Sequence, residues 1–142
     1  MKLSTRSRYS TRILIELAKN DDEAPLQVSE MSKRQNIPAK YLEQLIRTLK
    51  KAEIITSSRG PRGGYQLAKA ADTITLGDIV RLFEGQSELV ECISAPGRCP
   101  QAQECNVRVA WQNATTAMFK ILDDLTIADL LCEKPSIENE IK

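Results

Sequence analysis

The sequence predicts a mainly α-helical fold that contains one β-hairpin and ends with a long helix. Residues 39–52 repeat apolar side chains at the spacing of an amphipathic helix. Residues 54–67 pair two β-favouring runs around a turn that is rich in glycine and arginine. Residues 104–123 repeat apolar side chains in steps of three and four, which indicates a long helix with a coiled-coil seam.

Two shorter helices are predicted before residue 39. They span residues 3–19, with Ser4 or Thr5 as the cap, and Leu26–Gln35. Asn36-Ile37-Pro38 forms a turn after the second helix, because the residue before a proline avoids the helical region. The inward-facing side chains of the two helices are Tyr9, Ile13, Leu14, Leu17, Val28 and Met31. The helix at 26–35, this turn and the helix at 39–52 form a helix–turn–helix, which places the last of these helices for groove reading.

The helix at 39–52 has one apolar face and one polar, basic face. Its apolar side chains are Leu42, Leu45, Ile46 and Leu49. Its outward side chains are Lys40, Tyr41, Glu43, Gln44, Arg47, Lys50 and Lys51. We expect Tyr41 and Gln44 to read bases, and Lys40 and Arg47 to contact phosphates. Glu43 either accepts from a cytosine amino group or pairs with Arg47, four residues later.

The hairpin is expected to pair residues 54–56 with residues 65–67. Its tip, residues 59–64, carries two guanidinium groups beside glycine and proline. A helix followed by a basic-tipped hairpin is typical of a winged helix, in which the helix enters the major groove and the wing reaches a minor groove or phosphate. The candidate DNA-contacting residues are Arg8, Lys40, Tyr41, Glu43, Gln44, Arg47, Lys50, Arg59, Arg62, Gly63 and Gly64. The alternative is a solvated helix beside an ordinary hairpin.

The charge distribution supports nucleic-acid binding by the N-terminal half. Residues 1–70 hold 14 lysines and arginines against 7 acidic residues, whereas residues 71–142 hold 6 against 12. The formal net charge of +1 conceals this asymmetry. The basic half is therefore the one expected to bind a polyanion.

The rest of the chain is predicted to hold one more short helix, a loop and the long helix. Thr75-Leu-Gly-Asp78 resembles a capping box before a helix that runs to Glu84, and Gly85 ends it. Residues 86–103 lack periodicity. The seam of the long helix consists of Val107, Trp111, Ala114, Met118, Ile121 and Leu125. Its stripe is wider than one small domain needs, so we expect a homodimer interface. Thr126 and Asp129 cap a last short helix.

These features predict a winged helix-turn-helix domain, made of three helices plus a β-hairpin wing, followed by a long C-terminal dimerisation helix. The DNA-binding domain spans residues 1–85 and a cysteine loop spans residues 86–104. The dimerisation helix and a short terminal helix span residues 105–132, and a frayed tail spans residues 133–142.

Cys92, Cys99 and Cys105 lie within fourteen residues. Thiolates ligate iron, zinc and copper(I), and a loop followed by a helix start suits a metal centre held against a helix N-terminus. The chain has no histidine, which excludes a Cys/His zinc site. The alternatives are three unpaired or redox-active thiols, or a structural zinc site. Cys132 lies among apolar residues and is expected in the core.

Other functional classes fit the sequence less well. No apolar run approaches the ~20 residues of a membrane span. The N-terminus lacks a signal-peptide apolar segment, so we expect a cytoplasmic protein. A thiol oxidoreductase is disfavoured, because the chain lacks a CxxC motif, a histidine and a set of catalytic carboxylates.

Nearly the whole chain resembles the family of small winged-helix regulators that includes IscR, NsrR, RirA and CymR. The matching motifs are the opening Met1-Lys-Leu-Ser-Thr5 with Arg8-Tyr9, then Tyr41-Leu-Glu-Gln-Leu45, Arg59-Gly-Pro with Gly63-Gly-Tyr65, and Thr75-Leu-Gly-Asp78. The resemblance implies a homodimeric transcriptional regulator, a repressor type, on a pseudo-palindromic operator in double-stranded DNA. It also implies an iron–sulfur cluster, 2Fe-2S or 4Fe-4S, on the three loop cysteines, whose state sets DNA affinity. CymR-like members suggest an alternative, a cluster-free repressor controlled by thiol redox or a partner protein.

The chain departs from the family pattern at the fourth cluster ligand. IscR-like proteins place a histidine where this chain has Arg108, and NsrR-like proteins use an aspartate of the partner subunit where this chain has Arg8. Glu91, Glu104, solvent or a small thiol remain as candidates. The nearest subtype is RirA-like, and an open coordination site suits an iron, oxygen or nitric oxide sensor. Lys40 replaces a small serine of IscR, which changes the expected operator.

Overall fold

The computed structural model describes residues 2–20, 24–85 and 88–131. Six α-helices and two strands follow one another along these residues. They are α1 (Thr5–Lys19), α2 (Val28–Gln35), α3 (Ala39–Lys51), β1 (Ile55–Ser58), β2 (Gly64–Leu67), α4 (Leu76–Glu84), α5 (Glu91–Ser94) and α6 (Asn106–Asp124). Single 3-10 turns occur at Ala71–Thr73, Pro96–Arg98 and Asp129–Leu131.

The first three helices confirm the predicted helix–turn–helix and its apolar faces. The Ser4 side chain caps α1 by accepting from the Ser7 amide, which satisfies one free donor of the first turn. Asn36 adopts a left-handed conformation after α2, with φ of 52°, and Ile37 is buried in the turn. The fully buried residues of this unit are Ile13, Leu14, Leu17, Met31, Leu42, Leu45, Ile46 and Leu49. Tyr9 and Val28 are only half-buried against the same core.

The hairpin is antiparallel, and its strands extend closer to the tip than predicted. Ile55 pairs with Leu67 and Ser58 pairs with Gly64. Leu26, expected in a helix, instead forms a β-bridge with Tyr65, with N···O distances of 3.0 and 2.9 Å in the two directions. The second helix therefore starts at Val28, because the backbone of Leu26 is used by the wing.

α4 begins with the predicted capping box. The Asp78 amide donates to Thr75 Oγ1 at 3.1 Å, and the Thr75 amide donates to Asp78 Oδ2 at 3.3 Å. Gly85 follows with φ of 73°, a conformation that favours glycine and ends the helix. Ile79, Val80 and Phe83 are buried, and α4 packs against α1 on one side and α6 on the other.

The C-terminal part differs from the prediction in two places. The segment expected to lack structure holds α5 and a 3-10 turn, and the long helix begins at Asn106, two residues later than expected, with Cys105 as its N-cap. After α6 the chain returns to the first part, where Ile127 is fully buried and its amide donates to the Ile74 carbonyl at 2.9 Å. The predictions for Cys132 and for the tail lie outside the described residues.

The predicted cap of the last helix is present. The Thr126 amide and hydroxyl both donate to Asp129 Oδ2, and the Asp129 amide donates back to Thr126 Oγ1. The helix itself is a single 3-10 turn. Within the described ranges, no helix combines the length and the apolar character needed to cross a membrane.

Candidate nucleic-acid interface and cysteine loop

The outward face of α3 is exposed, as its sequence predicts. The four apolar side chains of this helix lie in the core, which turns the polar side chains away from the protein. The exposed residues are Lys40, Glu43, Gln44, Arg47, Lys50 and Lys51. The ion pair considered between Glu43 and Arg47 is not among the pairs formed within the described part of the chain. Both side chains are therefore free to meet a ligand.

Tyr41 has a different environment from the rest of this face. It is half-buried, and its ring packs edge-on against Tyr9 with the ring centroids 6.1 Å apart. Its hydroxyl lies 3.2 Å from Thr5 Oγ1. Tyr41 therefore ties α3 to the start of α1, a contact that the helical spacing of α3 alone does not reveal.

Lys50 also makes a contact inside the protein. Its Nζ donates to Ser57 Oγ at 2.6 Å and so connects the last turn of α3 with the first strand of the wing. Arg12 acts similarly between helices: its Nη2 donates to the Gln35 carbonyl at 2.6 Å, and its guanidinium lies 5.5 Å from the Tyr9 ring centroid. Arg8 is exposed on α1.

The wing tip presents Arg59 and Arg62 to solvent. The turn between them is closed by the Gly63 amide, which donates to the Gly60 carbonyl at 2.9 Å. A Cβ on Gly63 would lie 2.4 Å from the Ser58 carbonyl oxygen. On Gly64 it would lie 2.6 Å from the Leu26 carbonyl oxygen. The backbone geometry of the wing therefore favours glycine at both positions, independently of the predicted DNA contact.

Glu84 joins the end of α4 to the beginning of α1. Its Oε1 accepts from the Ser4 hydroxyl at 2.6 Å, from the Ser4 amide at 3.0 Å and from the Ser7 hydroxyl. These hydrogen bonds, those of Ser4 first, hold the pKa of the Glu84 carboxyl below its usual range. The carboxylate therefore anchors α1 just before the chain enters the cysteine segment.

Cys92, Cys99 and Cys105 lie on different local elements. Cys92 is in α5, Cys99 follows the 3-10 turn, and Cys105 is the N-cap of α6. All three are half-buried free thiols. Among the described residues, no three histidine, cysteine or acidic side chains are grouped closely enough to hold a metal ion. Thiolates are the usual ligands of iron–sulfur clusters, so the type of donor suits such a cluster, but the described arrangement does not gather the three thiols.

Arg108 lies one helical turn after Cys105 and contacts the loop. Its Nη1 donates to the Ala102 carbonyl at 3.1 Å, and Ala102 is buried. Its Nε is buried and has no hydrogen-bond partner among the residues that the structure describes. An arginine side chain remains protonated and offers no lone pair, so Arg108 cannot ligate a metal.

One face of α6 contacts α4 of the same chain, and another face is exposed. Arg81 of α4 forms a two-point ion pair with Asp123, at 2.6 and 2.7 Å, and stacks on Phe119 at 4.5 Å. The guanidinium lowers the pKa of the Asp123 carboxyl. Gly77 leaves room for this pair, because a Cβ there would lie 1.8 Å from Asp123 Oδ1. The exposed apolar side chains of the seam are Val107 (60%), Trp111 (45%), Ile121 (62%) and Leu125 (36%).

Comparison with known proteins identifies the family. The profile of the Rrf2 family, described as "Iron-dependent Transcriptional regulator", matches residues 3–133. Protein rrf2 of Nitratidesulfovibrio vulgaris is 45% identical over 131 residues, which cover 92% of this chain and 87% of the relative. The regulator CymR of Bacillus subtilis is 38% identical over 130 residues, covering 92% and 89%. The regulator IscR of Erwinia tasmaniensis is 32% identical over 131 residues, covering 92% and 79%.

Solved structures agree with this result. The structure of T. potens IscR has a TM-score of 0.74 and 31% identity, covering 92% of this chain and 86% of that one. The structure of B. subtilis CymR has a TM-score of 0.76 and 34% identity, covering 95% and 99%. These relatives carry the names of transcriptional regulators, which are not enzymes. The chain belongs to the Rrf2 family of transcriptional regulators and has the winged-helix fold of that family.

Proposed function

We propose that the protein is a homodimeric regulator that binds a pseudo-palindromic operator through α3 and the wing. The observation that carries this proposal is the exposed polar face of α3 beside a wing tip with two exposed guanidinium groups. Residues 1–85 form the DNA-binding unit, and the exposed seam of α6 joins two copies. The two α3 helices then enter major grooves separated by one or more helical turns.

Gln44 and Arg59 have separate roles in this proposal. Gln44 is exposed near the middle of α3 and reads a base, for which its amide is suited. Arg59 lies at the wing tip and contacts phosphate or the minor groove. Gln44→Ala should lower discrimination against mutated operators by ~1–3 kcal/mol. Arg59→Ala should weaken binding to all sequences and reduce the salt dependence. Selection of binding sites from random DNA checks both, and an unchanged preference in Gln44→Ala would contradict the base-reading role.

The regulatory part of the proposal is an iron–sulfur cluster held by Cys92, Cys99 and Cys105. Support comes from three free thiols in the segment between the DNA-binding unit and α6, and from the iron dependence named in the family description. A bound cluster would supply sensitivity to iron, oxygen or nitric oxide. Glu104 borders the same surface cleft as Cys105, whereas Glu91 pairs with Arg98 at 3.2 Å. Both remain candidates for the fourth ligand, beside solvent or a small thiol.

Anaerobic reconstitution of the full chain tests this proposal directly. We expect stoichiometric iron and sulfide, visible absorption from cysteine-to-iron charge transfer, and a change in operator affinity of roughly 5–150-fold between the loaded and metal-free forms. Cys105→Ala should lose the absorption. Cys132→Ala, expected from the sequence to be a core cysteine, is the matched control and should keep it. Absorption retained in Cys105→Ala would remove that residue from the ligand set.

The second candidate function is a cluster-free repressor controlled by thiol redox or by a partner protein. It is favoured by the separation of the three thiols among the described residues and by the similarity to CymR, which one solved structure calls the global cysteine regulator of B. subtilis. Absence of bound iron after reconstitution, with operator binding intact, would favour this candidate. Oxidant-dependent DNA affinity that is lost in cysteine variants would then identify the thiols as the sensor.

A further inference from the structure

The first turn of α3 lies beyond the core contacts that hold the rest of the helix. Leu42 is the first of its buried side chains, and Ala39 and Lys40 before it are exposed. Pro38, the N-cap residue, has no side-chain oxygen with which to cap the turn. Tyr41, which is half-buried, is therefore the side chain that attaches this turn to the protein.

Tyr41 contacts two residues of α1. Its ring packs edge-on against Tyr9, and its hydroxyl lies 3.2 Å from Thr5 Oγ1. A hydroxyl can both donate and accept, so either of the two can supply the proton. Thr5 and Tyr9 are four residues apart in α1, a spacing that places both side chains on one face of the helix.

The same face of α1 also holds the end of α2. Arg12 follows Tyr9 by three residues. Its Nε donates to Gln35 Oε1 at 2.8 Å, and its Nη2 donates to the Gln35 carbonyl at 2.6 Å. Gln35 is the last residue of α2, where the carbonyls lack partners within the helix and a cation is favoured. One face of α1 thus holds both helices of the helix–turn–helix, on either side of the turn at 36–38.

We propose that Tyr41 is a positioning residue for operator recognition: its hydroxyl, through Thr5, fixes the first turn of α3, so that Gln44 about one turn later meets its base. This inference rests on the proposed function, and it replaces the base-reading role that the sequence predicts for Tyr41. Base reading requires a side chain to be held within about 0.5 Å of its productive position, so an unattached turn must be ordered when DNA binds. That ordering weakens specific binding, whereas non-specific binding to phosphates does not require it.

The first test measures amide hydrogen exchange by NMR in the full-length protein without DNA. The amides of Tyr41 and Leu42 both donate to the Pro38 carbonyl at 3.0 Å, so they report on the first turn of α3. Tyr41→Phe and Thr5→Val each remove one hydroxyl with little change in shape, and each should make these amides exchange about fivefold faster. Thr5→Ser keeps the hydroxyl and should match wild type. Thr116→Val is the matched control, because it loses the same hydroxyl at an exposed position of α6 and should leave both amides unchanged.

The second test measures affinity for two duplexes: the sequence that wild type selects from random DNA, and a scrambled duplex of the same length and composition. Tyr41→Phe, Thr5→Val and the double variant should each bind the selected duplex about fivefold more weakly, because all three lack the same hydrogen bond. Their affinities for the scrambled duplex, and the base preferences that they select, should match wild type. Thr5→Ser and Thr116→Val should match wild type on both duplexes.

Each outcome has a distinct meaning. Unchanged exchange in either Tyr41→Phe or Thr5→Val overturns the attachment. With Thr5→Val equal to wild type on DNA, a changed base preference in Tyr41→Phe would identify a base reader, and weaker binding to both duplexes would identify a phosphate contact. Either result overturns the positioning role, as does a loss of about 25-fold in the double variant, which would mean two independent contacts.

Failure of the proposed function is distinguishable from these results. Wild-type protein that selects no sequence overturns that function, and with it the role of Tyr41 in recognition, even where exchange shows that the turn is attached. Faster exchange combined with an equal loss in Tyr41→Phe, Thr5→Val and the double variant, confined to the selected duplex, supports the proposal.

Discussion

The winged-helix part, residues 2–85, and the C-terminal part, residues 88–131, bury apolar surface very differently. Among the described residues, seventeen buried apolar side chains lie between positions 13 and 83, whereas the C-terminal part contributes only Ala102 and Ile127. The long α6 has a single buried residue, Thr115. The first part therefore has a core of its own. The second part consists of a helix and a loop that pack against the first part and contribute little to that core.

This difference in buried apolar surface indicates which part needs a partner. A helix with four large apolar side chains at 45% to 62% exposure, followed directly by Leu125 at 36%, is unusual on a monomer surface, and such patches mark interaction sites. The cysteine segment is likewise held by few contacts, of which the Arg108–Ala102 hydrogen bond is one. We therefore assign DNA recognition to the part with a complete core, and dimer assembly and sensing to the part without one.

The largest effect that would test this division is expected on the seam of α6. Ile121→Glu places a charge on an apolar side chain that is 62% exposed in the single chain. If a second copy covers it, the dimer dissociation constant should rise about 100-fold or more, equivalent to about 2.7 kcal/mol. Sedimentation across a concentration series measures the change.

A matched charge on another face of α6 controls for the helix itself. Gln112→Glu adds the same charge at an exposed position outside the seam and should leave the dimer unchanged. The far-ultraviolet circular dichroism of Ile121→Glu should also match wild type, because the winged-helix core is not touched. Equal dissociation constants for wild type and Ile121→Glu would mean that the seam is not the interface.

The winged-helix part was largely predictable because its elements obey local rules. The four apolar residues of α3 repeat at helical spacing, and all four are buried. Thr75 and Asp78 form the predicted capping box from their spacing alone. Regular periodicity is visible in a sequence because each element presents one face to a common core.

Contacts between segments that are distant in the sequence cannot be predicted from local periodicity. The local sequence does not predict that Leu26 pairs with Tyr65 instead of continuing a helix. It does not predict either that Glu84 binds Ser4, eighty residues away. The three cysteines predict a candidate site in this loop, but the sequence does not predict the hydrogen bond from Arg108 to the Ala102 carbonyl. The sequence does not predict the short helix α5 either, since four residues are too few to establish a period.

A second, smaller effect is expected from adding a methyl group at the edge of the winged-helix part, where the backbone is closely packed. Gly64→Ala would place a methyl group 2.6 Å from the Leu26 carbonyl oxygen and 2.9 Å from the Pro25 carbonyl carbon. Both neighbours are backbone, so one strand must shift and the Leu26–Tyr65 bridge should break. We expect a loss of ~1–3 kcal/mol in the free energy of unfolding, measured by urea titration.

Gly97→Ala in the C-terminal part is the matched control for this change. A Cβ at Gly97 meets no atom within 4 Å, so the substitution should change stability by less than about 0.5 kcal/mol. Faster exchange of the Tyr65 amide in Gly64→Ala would locate the damage at the bridge. Equal stabilities for the two alanine variants would show that the wing edge adapts, and the contrast between the two parts would weaken there.

The smallest expected effect concerns Glu84, the last helical residue before the junction of the two parts. Its pKa is lowered by hydrogen bonds from Ser4 and Ser7, so the folded state binds its proton less readily than the unfolded state. The stabilisation is therefore fully present above the usual carboxyl pKa of about 4.3 and is lost as the pH falls through the lower folded value. Glu84→Gln keeps an acceptor but removes the titration.

Urea unfolding of both proteins between neutral and acidic pH isolates this contribution. The difference in unfolding free energy between wild type and Glu84→Gln should be constant near neutral pH and should shrink on acidification. Asp123 and Asp129 also have lowered pKa values, but they are present in both proteins and cancel in the difference. A difference that stays constant down to the acid limit would show that the Glu84 carboxylate does not anchor α1.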